Sequence, residues 1–293
     1  MIAEVFSIIA PVFLISALGF AWAKMEQPFD TLLVTVLLTN VTSPCLIFSR
    51  VAPLTEPVST FGAIAGLAIL SIAIFAVTGY AVSKALGLPV TASVAPIMFP
   101  NTGNMGLALC LFAFGEVGVG LGIGFFIVTA TLQFTLAPFI ASGRFSLRQM
   151  VRAPVIYASA AALVFLIGGI PLPDWLYNTT KLLGDISIPM MLITLGVSLA
   201  RLKVVALRNS LIVAALRLGI GFLTGAGLVW AFGMTGAAAG VVIVMCAMPA
   251  AVFNYLFAAR YGDHADEVAG TVILSTALSF VTLPLLMAYV LRS

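Results

Sequence analysis

Charge is what this sequence has least of. Asp, Glu, Lys and Arg together make up 8% of its 293 residues, about a third of the share found in a soluble domain. So few ions cannot solvate the surface of a globular domain, which excludes an ordinary cytosolic enzyme or binding module. Histidine occurs once and cysteine three times, with no metal-like spacing among them. Zinc sites and disulfide scaffolds are thereby excluded. So is the nucleophile and base, metal cluster or acidic diphosphate motif that an intramembrane protease or transferase needs, and no enzyme activity or cofactor is expected. Cys45, Cys110 and Cys246 read as small apolar packing residues. A phosphate or dinucleotide loop is missing too. The stretch "GVGLGIG" at 118–124 lacks both spacings and a preceding strand, and its glycines instead form small-xxx-small pairs that let helices approach.

Apolar sequence fills the chain instead, at 62% of residues and a mean hydropathy of +1.21. A helix crossing the hydrocarbon needs about 20 mostly apolar residues. Ten segments qualify: 2–23, 29–49, 59–83, 89–114, 118–142, 151–170, 173–200, 207–232, 234–260 and 268–291. An all-α membrane protein with ten transmembrane helices is predicted, with no room for a soluble domain between the spans. The first span carries Glu4 where a signal peptide has basic residues, so it is expected to remain as a span. Cytoplasmic loops retain Lys and Arg during insertion. With the N-terminus outside, the inner loops hold Lys24, Lys84, Arg144, Arg148, Arg152, Arg201, Lys203, Arg208 and Arg260, and the outer ones only Arg50, Lys181 and Arg292. Both termini are therefore expected outside a plasma membrane of the bacterial inner-membrane type. The net charge of +3 then reflects topology and lipid contact, and no nucleic-acid partner is implied.

An internal repeat organises the chain. "LLTNVTSPCLI" at 37–47 matches "LLGDISIPMML" at 182–192, pairing Asn40 with Asp185, Thr42 with Ser187 and Pro44 with Pro189 at an offset of 145. "LQFTLAP" at 132–138 matches "LSFVTLP" at 278–284 at an offset of 146, and Pro100 answers Pro249 at an offset of 149. Three matches in chain order at nearly one offset imply a duplicated five-span unit, residues 1–142 and 151–293. Five is odd, so the second copy must sit inverted in the membrane. The fold expected is a 5+5 inverted repeat.

The most polar interruption is "IMFPNTGNMGLAL" at 97–109. Pro100 cannot donate a backbone hydrogen bond and disfavours helix at Phe99, while Gly103 and Gly106 tolerate an unwound chain. Backbone groups freed at membrane depth must line a cavity or be buried in protein. Inverted repeats with interrupted helices at matching positions point to a secondary transporter with a midplane site. Spans 4 and 9 are therefore predicted to be broken and crossed, hinging at Pro100, Gly103, Gly106 and Pro249, with Asn101, Thr102, Asn104 and Asn254 as substrate contacts. Gln133 in span 5 joins them, beside the hydroxyls of Thr129, Thr131, Ser275, Thr276 and Ser279.

Two charges lie inside spans. Arg217 sits about ten residues into span 8, or ~15 Å at the helical rise, where a cation needs a cavity or a partner. It either binds a carboxylate substrate through a bidentate guanidinium, or locks the fold by pairing with Asp185 or with the carbonyl ends of the broken spans. Asp185 in span 7 is expected to be a buried carboxylate that binds Na⁺, carries a proton, or pairs with Arg217. Asn40, Thr129 and Ser275 are the other candidates for ion coupling to H⁺ or Na⁺.

"FPNTGNMGLAL", "GDISIPMMLITLGVSLA" and "MPAAVFNYLFAARYG" running into "STALSFVTLPLLMAYVL" resemble the auxin efflux carrier family, which includes plant carriers and bacterial permeases for malate and malonate. The resemblance implies the ten-helix fold of the bile acid sodium symporters. Spans 2–49 and 151–200 would form a scaffold and spans 59–142 and 207–291 a moving transport domain. It also implies elevator-type alternating access and a homodimer through the scaffold helices. Asn101 falls where the family places a substrate-contacting asparagine. Two departures stand out: the long loop of many plant members is missing between spans 5 and 6, and span 59–83 has no charged residue, where plant carriers place an acid and a base. The expected function is secondary transport of a small organic anion, a mono- or dicarboxylate such as malonate or malate. The alternatives are sodium-coupled symport of larger amphipathic anions and efflux of an auxin-like indole acid.

Overall fold

The computed structural model describes residues 2–54, 57–143, 154–261 and 264–291. Arg144, Arg148, Arg152 and Arg292, counted above for orientation, lie outside the described residues. The chain runs as α1 (Ile2–Lys24), then α2 (Thr31–Leu37), which passes through a π turn (Leu38–Thr42) into α3 (Ser43–Val51), then α4 (Val58–Ala85) and α5 (Val90–Met98). A second π turn (Thr102–Gly106) opens α6 (Leu107–Ser142), followed by α7 (Pro154–Gly168), α8 (Asp174–Asp185), α9 (Ser187–Arg201) and α10 (Leu207–Ala231). The chain continues through α11 (Gly236–Ala247), α12 (Val252–Tyr261) and α13 (Ala265–Val290). Among the described residues there is no β-strand, only one isolated antiparallel bridge between Pro100 and Ala250.

This is an all-helical, multi-pass membrane protein. Among the described residues seven helical runs are long and apolar enough to cross a bilayer: Ala3–Lys24, Thr31–Val51, Val58–Ala85, Thr102–Ala141, Asp174–Arg201, Leu207–Ala231 and Ala265–Val290. Two more, Pro154–Gly168 and Gly236–Ala247, are apolar but shorter. Length alone thus yields fewer spans than hydropathy does, for two physical reasons. Proline-containing segments stop α5 and α11 partway through their apolar runs. The run Thr102–Ala141 counts once but contains Gly115 at φ 64°, ψ −151°. A straight helix of that length would reach ~60 Å, twice the hydrocarbon thickness. The chain turns at Gly115 in a conformation that only glycine adopts without strain.

Apolar side chains point both ways. Ile64, Ile72 and Phe75 of α4, Leu46 and Ile47 of α3 and Phe125 of α6 fill the interior. Leu14, Val77, Leu223, Trp230 and Leu285 are exposed, as surfaces solvated by lipid chains are. The matched segments of the repeat meet in space. Gly184 at the end of α8 lies against the main chain of Cys45 and Leu46 in α3, 2.7 Å from its would-be Cβ to Leu46 Cα, so the two copies of the motif cross at a glycine. The three cysteines are free thiols, Cys110 and Cys246 fully buried.

Candidate functional site

The site is built on two helix interruptions. Helix α5 stops at Met98, Phe99 is extended, and the chain re-enters helix at Thr102 with Asn101 as N-cap. Helix α11 stops at Ala247, Met248 is extended, and α12 begins at Val252. Pro100 and Pro249 cannot donate to a helix ladder, and their extended neighbours are instead satisfied across the gap. Asn101 N–H donates to the Pro249 carbonyl at 2.7 Å and Ala251 N–H to the Phe99 carbonyl at 3.1 Å. Ala250 N–H donates to Ser275 Oγ at 3.1 Å.

Side chains stitch the same junction. Asn254 Nδ2 donates to the Phe99 carbonyl at 3.1 Å, and its Oδ1 accepts from Gln133 Nε2 at 2.9 Å. Thr102 and Thr129 share a hydrogen bond at 2.9 Å. Asn101 Oδ1 accepts from Asn104 N–H at 3.3 Å, the usual work of an N-cap. Asn101 is 3% exposed, and its Nδ2 has no hydrogen-bond partner among the described residues. A buried donor of this kind costs on the order of 1–3 kcal/mol.

A cavity of about 450 Å³ adjoins this junction. Pro100, Asn101, Thr102, Gly103 and Asn104 form one wall, Gln133 and Thr131 a second, and Asn40 a third. Phe126, Phe134 and Phe253 supply its aromatic surface. Among the described lining residues there is no Asp, Glu, Lys or Arg. Sequence reasoning missed the wall contributed by Thr31, Thr35, Thr39 and Ser43, although their four-residue spacing puts them on one helix face. It missed Thr194 and Ser198 of α9 as well; the Thr194 hydroxyl is buried and lacks a partner.

Other predicted residues sit elsewhere. Asn254, Thr129 and Ser275 support the junction from behind, and Gly106 packs against Met245 Sδ, 2.6 Å from its would-be Cβ. Arg217 does not line the cavity and does not meet Asp185. Fully buried in α10, it donates from Nε to the Met248 carbonyl at 3.2 Å and from its terminal nitrogens to the carbonyls of Ile97 and Cys246. Its guanidinium lies 4.3 Å from the centre of the Phe75 ring. Of the alternatives left open by the sequence, the geometry has the helix-end carbonyls.

Asp185 differs from its expected burial. Its side chain is 41% exposed at the end of α8, held by Arg50 at 2.7 Å and Lys181 at 2.8 Å. Arg50, only 10% exposed, also pairs with Glu116 beside the Gly115 turn. The difference follows from its partners, because Arg50 reaches it from α3 and Lys181 from one turn earlier on its own helix, so its charge is met without entering the interior. Arg50→Gln would leave Asp185 with Lys181 and take from Glu116 its pairing with Arg50. A loss of about 1 kcal/mol is expected, read as a lowered melting temperature that shrinks as NaCl rises and screens the pairs. A melting temperature unchanged at low salt would show that the cluster is not stabilising.

Comparison with known proteins falls in line with this geometry. Residues 137–287 match the model of the family described as membrane transport protein. The chain belongs to the auxin efflux carrier family of membrane transporters. The transporter is 29% identical over 212 residues to an uncharacterized transporter of Methanothermobacter thermautotrophicus, covering 69% of this chain and 67% of the relative. It is 30% identical over 154 residues to auxin efflux carrier component 2 of Arabidopsis thaliana, covering 48% of this chain and 23% of that one. A probable auxin efflux carrier component 1c of Oryza sativa subsp. japonica is 28% identical over 154 residues, 48% of this chain and 25% of its own. The transporter thus matches about a quarter of the length of these plant relatives.

Proposed function

We propose that this transporter is a secondary carrier of a small organic anion, a mono- or dicarboxylate, which binds at the paired helix interruptions and is exposed alternately to the two membrane faces. One observation carries the reading. Asn101, which lines the cavity, carries a buried amide donor, Nδ2, with no hydrogen-bond partner among the described residues, and a carboxylate oxygen entering beside it would be the acceptor that relieves it once the side chain turns toward the cavity. A volume of about 450 Å³ falls within the range of small-molecule sites. The three phenylalanines, and the absence of charge among the described lining residues, favour one carboxylate on an apolar body over a compact dicarboxylate such as malonate or malate. That preference, with the likeness to plant auxin efflux carriers, supports a second reading in which the substrate is an auxin-like aromatic acid.

The proposed architecture is ten spans in two inverted five-span units, with the fourth and ninth crossed at the interruptions. The Gly115 turn, the bridge between Pro100 and Ala250, and the crossing of the matched motifs at Gly184 support it. The cavity lies between α2, α3, α7 and α9 on one side and α6 and α12 on the other, the division that an elevator motion of residues 59–142 and 207–291 against a dimeric scaffold requires. Coupling to Na⁺ would act through the oxygens of Asn40, Thr129 and Ser275, the last two of which hold the junction, and coupling to H⁺ through the carboxylate of Asp185. Both termini outside a plasma membrane remains the proposed orientation.

Uptake of labelled indole-3-acetate, malate and malonate into proteoliposomes, under imposed Na⁺ and proton gradients, tests this reading. Saturable uptake of the monocarboxylate is expected, about tenfold more efficient than of either dicarboxylate. Flux of an uncharged analogue at the same rate, or flux of the acids that rises linearly without saturation, would overturn it.

A further inference from the structure

We infer that Arg217 sets the charge sign of the site: it takes up the carbonyl ends of both interrupted helices and leaves only their amino ends toward the cavity, so that one negative charge is balanced there. This inference rests on the anion reading above and adds its electrostatic cause.

An interrupted helix presents two kinds of end. Unpaired carbonyls at a C-terminus carry about half a negative charge, and unpaired N–H groups at an N-terminus about half a positive one. Two interruptions brought together would present both signs and welcome cations and anions alike. Here carbonyls at both C-terminal ends are occupied. Ile97 belongs to the last turn of α5, Cys246 to the last turn of α11, and Met248 follows α11 directly. All three carbonyls accept from the one guanidinium, and among the described residues Arg217 forms no ion pair with a carboxylate. A buried cation without an anion is costly. Two half-charges of opposite sign, met at hydrogen-bond distance and backed by the Phe75 face, are what balance it.

The amino ends remain on the cavity side. Asn101 and Gly103 at the start of the Thr102–Gly106 turn, and Val252 and Phe253 at the start of α12, line the cavity, while Arg217 does not. Two N-termini amount to about one positive charge, the complement of a single carboxylate. The unpartnered Asn101 Nδ2 adds a donor at the same end and no acceptor. Arg217 is therefore a positioning residue: it acts on the substrate through the helices that it neutralises.

Binding to the purified protein in nanodiscs tests the inference with three near-isosteric probes: indole-3-acetate, its neutral amide, and tryptamine. Wild type is expected to prefer the acid to the amide by about thirtyfold. Absence of that preference in wild type would defeat the anion reading itself. With it established, Arg217→Gln is expected to bring acid and amide to within about threefold and to gain tryptamine binding, whereas Arg217→Lys, which keeps the charge with fewer donors, keeps about tenfold preference for the acid at a lower melting temperature. A folded Arg217→Gln that keeps the full preference overturns the inference, as does a folded Arg217→Lys that loses it. Wild type alone supplies a further arm independent of folding: the malonate analogue of the same indole, with two charges, is expected to bind about tenfold more weakly than the acetate. Equal or tighter binding of the dianion overturns the charge balance.

Discussion

Replacing Asn101 by aspartate is expected to lower carboxylate uptake by about 100-fold while leaving the protein folded, because the change separates the residue's two duties. As an N-cap, Asn101 accepts from Asn104 N–H through Oδ1. Aspartate accepts as well as asparagine at this position, and a negative charge at a helix amino end is favourable. Asn101 also lines the cavity and carries the unpartnered Nδ2, and aspartate puts a second carboxylate oxygen in its place. Like charges in a desolvated site repel by several kcal/mol. Asn101→Ala makes the contrast. It loses the cap, at about 1 kcal/mol of stability, and the donor without adding repulsion, so uptake should fall only about tenfold. Melting temperature and initial uptake rate, measured side by side, decide the matter. An aspartate variant that transports at the wild-type rate would remove Asn101 from the substrate path.

How much of this was legible beforehand depends on which physical signal each residue leaves in the sequence. Apolar runs and prolines are explicit, so the membrane class and the places where α5 and α11 stop could be read directly from Pro100 and Pro249. The junction's polar cluster was equally visible, since two asparagines and a threonine after a proline are costly in lipid unless something gathers them. Main-chain partners leave no trace in sequence. Nothing about residues 97, 246 and 248 announces that their carbonyls would take Arg217, and three partners stayed open for it. The stripe Thr31, Thr35, Thr39 and Ser43 was overlooked for a different reason: hydroxyls in membrane helices ordinarily bond their own backbone, as Thr39 Oγ1 does to the Thr35 carbonyl at 2.8 Å. A spacing that lines a cavity looks no different from one that merely satisfies itself. Asp185 was misplaced because its partner Arg50 lies 135 residues away in the chain, and no local pattern announces the pair.

The second large effect is expected at a site with no polar chemistry at all. Gly196→Ala should abolish correct packing of α1 against α9, with a loss of about 3 kcal/mol or more and most of the protein leaving the monodisperse peak on size exclusion. The would-be Cβ of Gly196 falls onto the Ser16 carbonyl and within 2.7 Å of Phe20 N, and that of Gly19 falls onto the Ile193 carbonyl and within 2.9 Å of Ile193 Cα. Every one of these obstacles is main chain, which cannot swing aside as a side-chain end can. In lipid no hydrophobic force drives two helices together, so their association depends on close approach, and the first added carbon holds the backbones apart. Gly19→Ala should do the same, and the double variant should be less damaging than the sum, since one separation relieves both clashes. Gly62→Ala and Gly66→Ala in α4 are the controls. Nothing lies within 4 Å of either added carbon, and helix propensity there favours alanine by about 1 kcal/mol. Should Gly196→Ala melt with those controls and not far below them, the tight seam between α1 and α9 would not be what holds this half of the protein together.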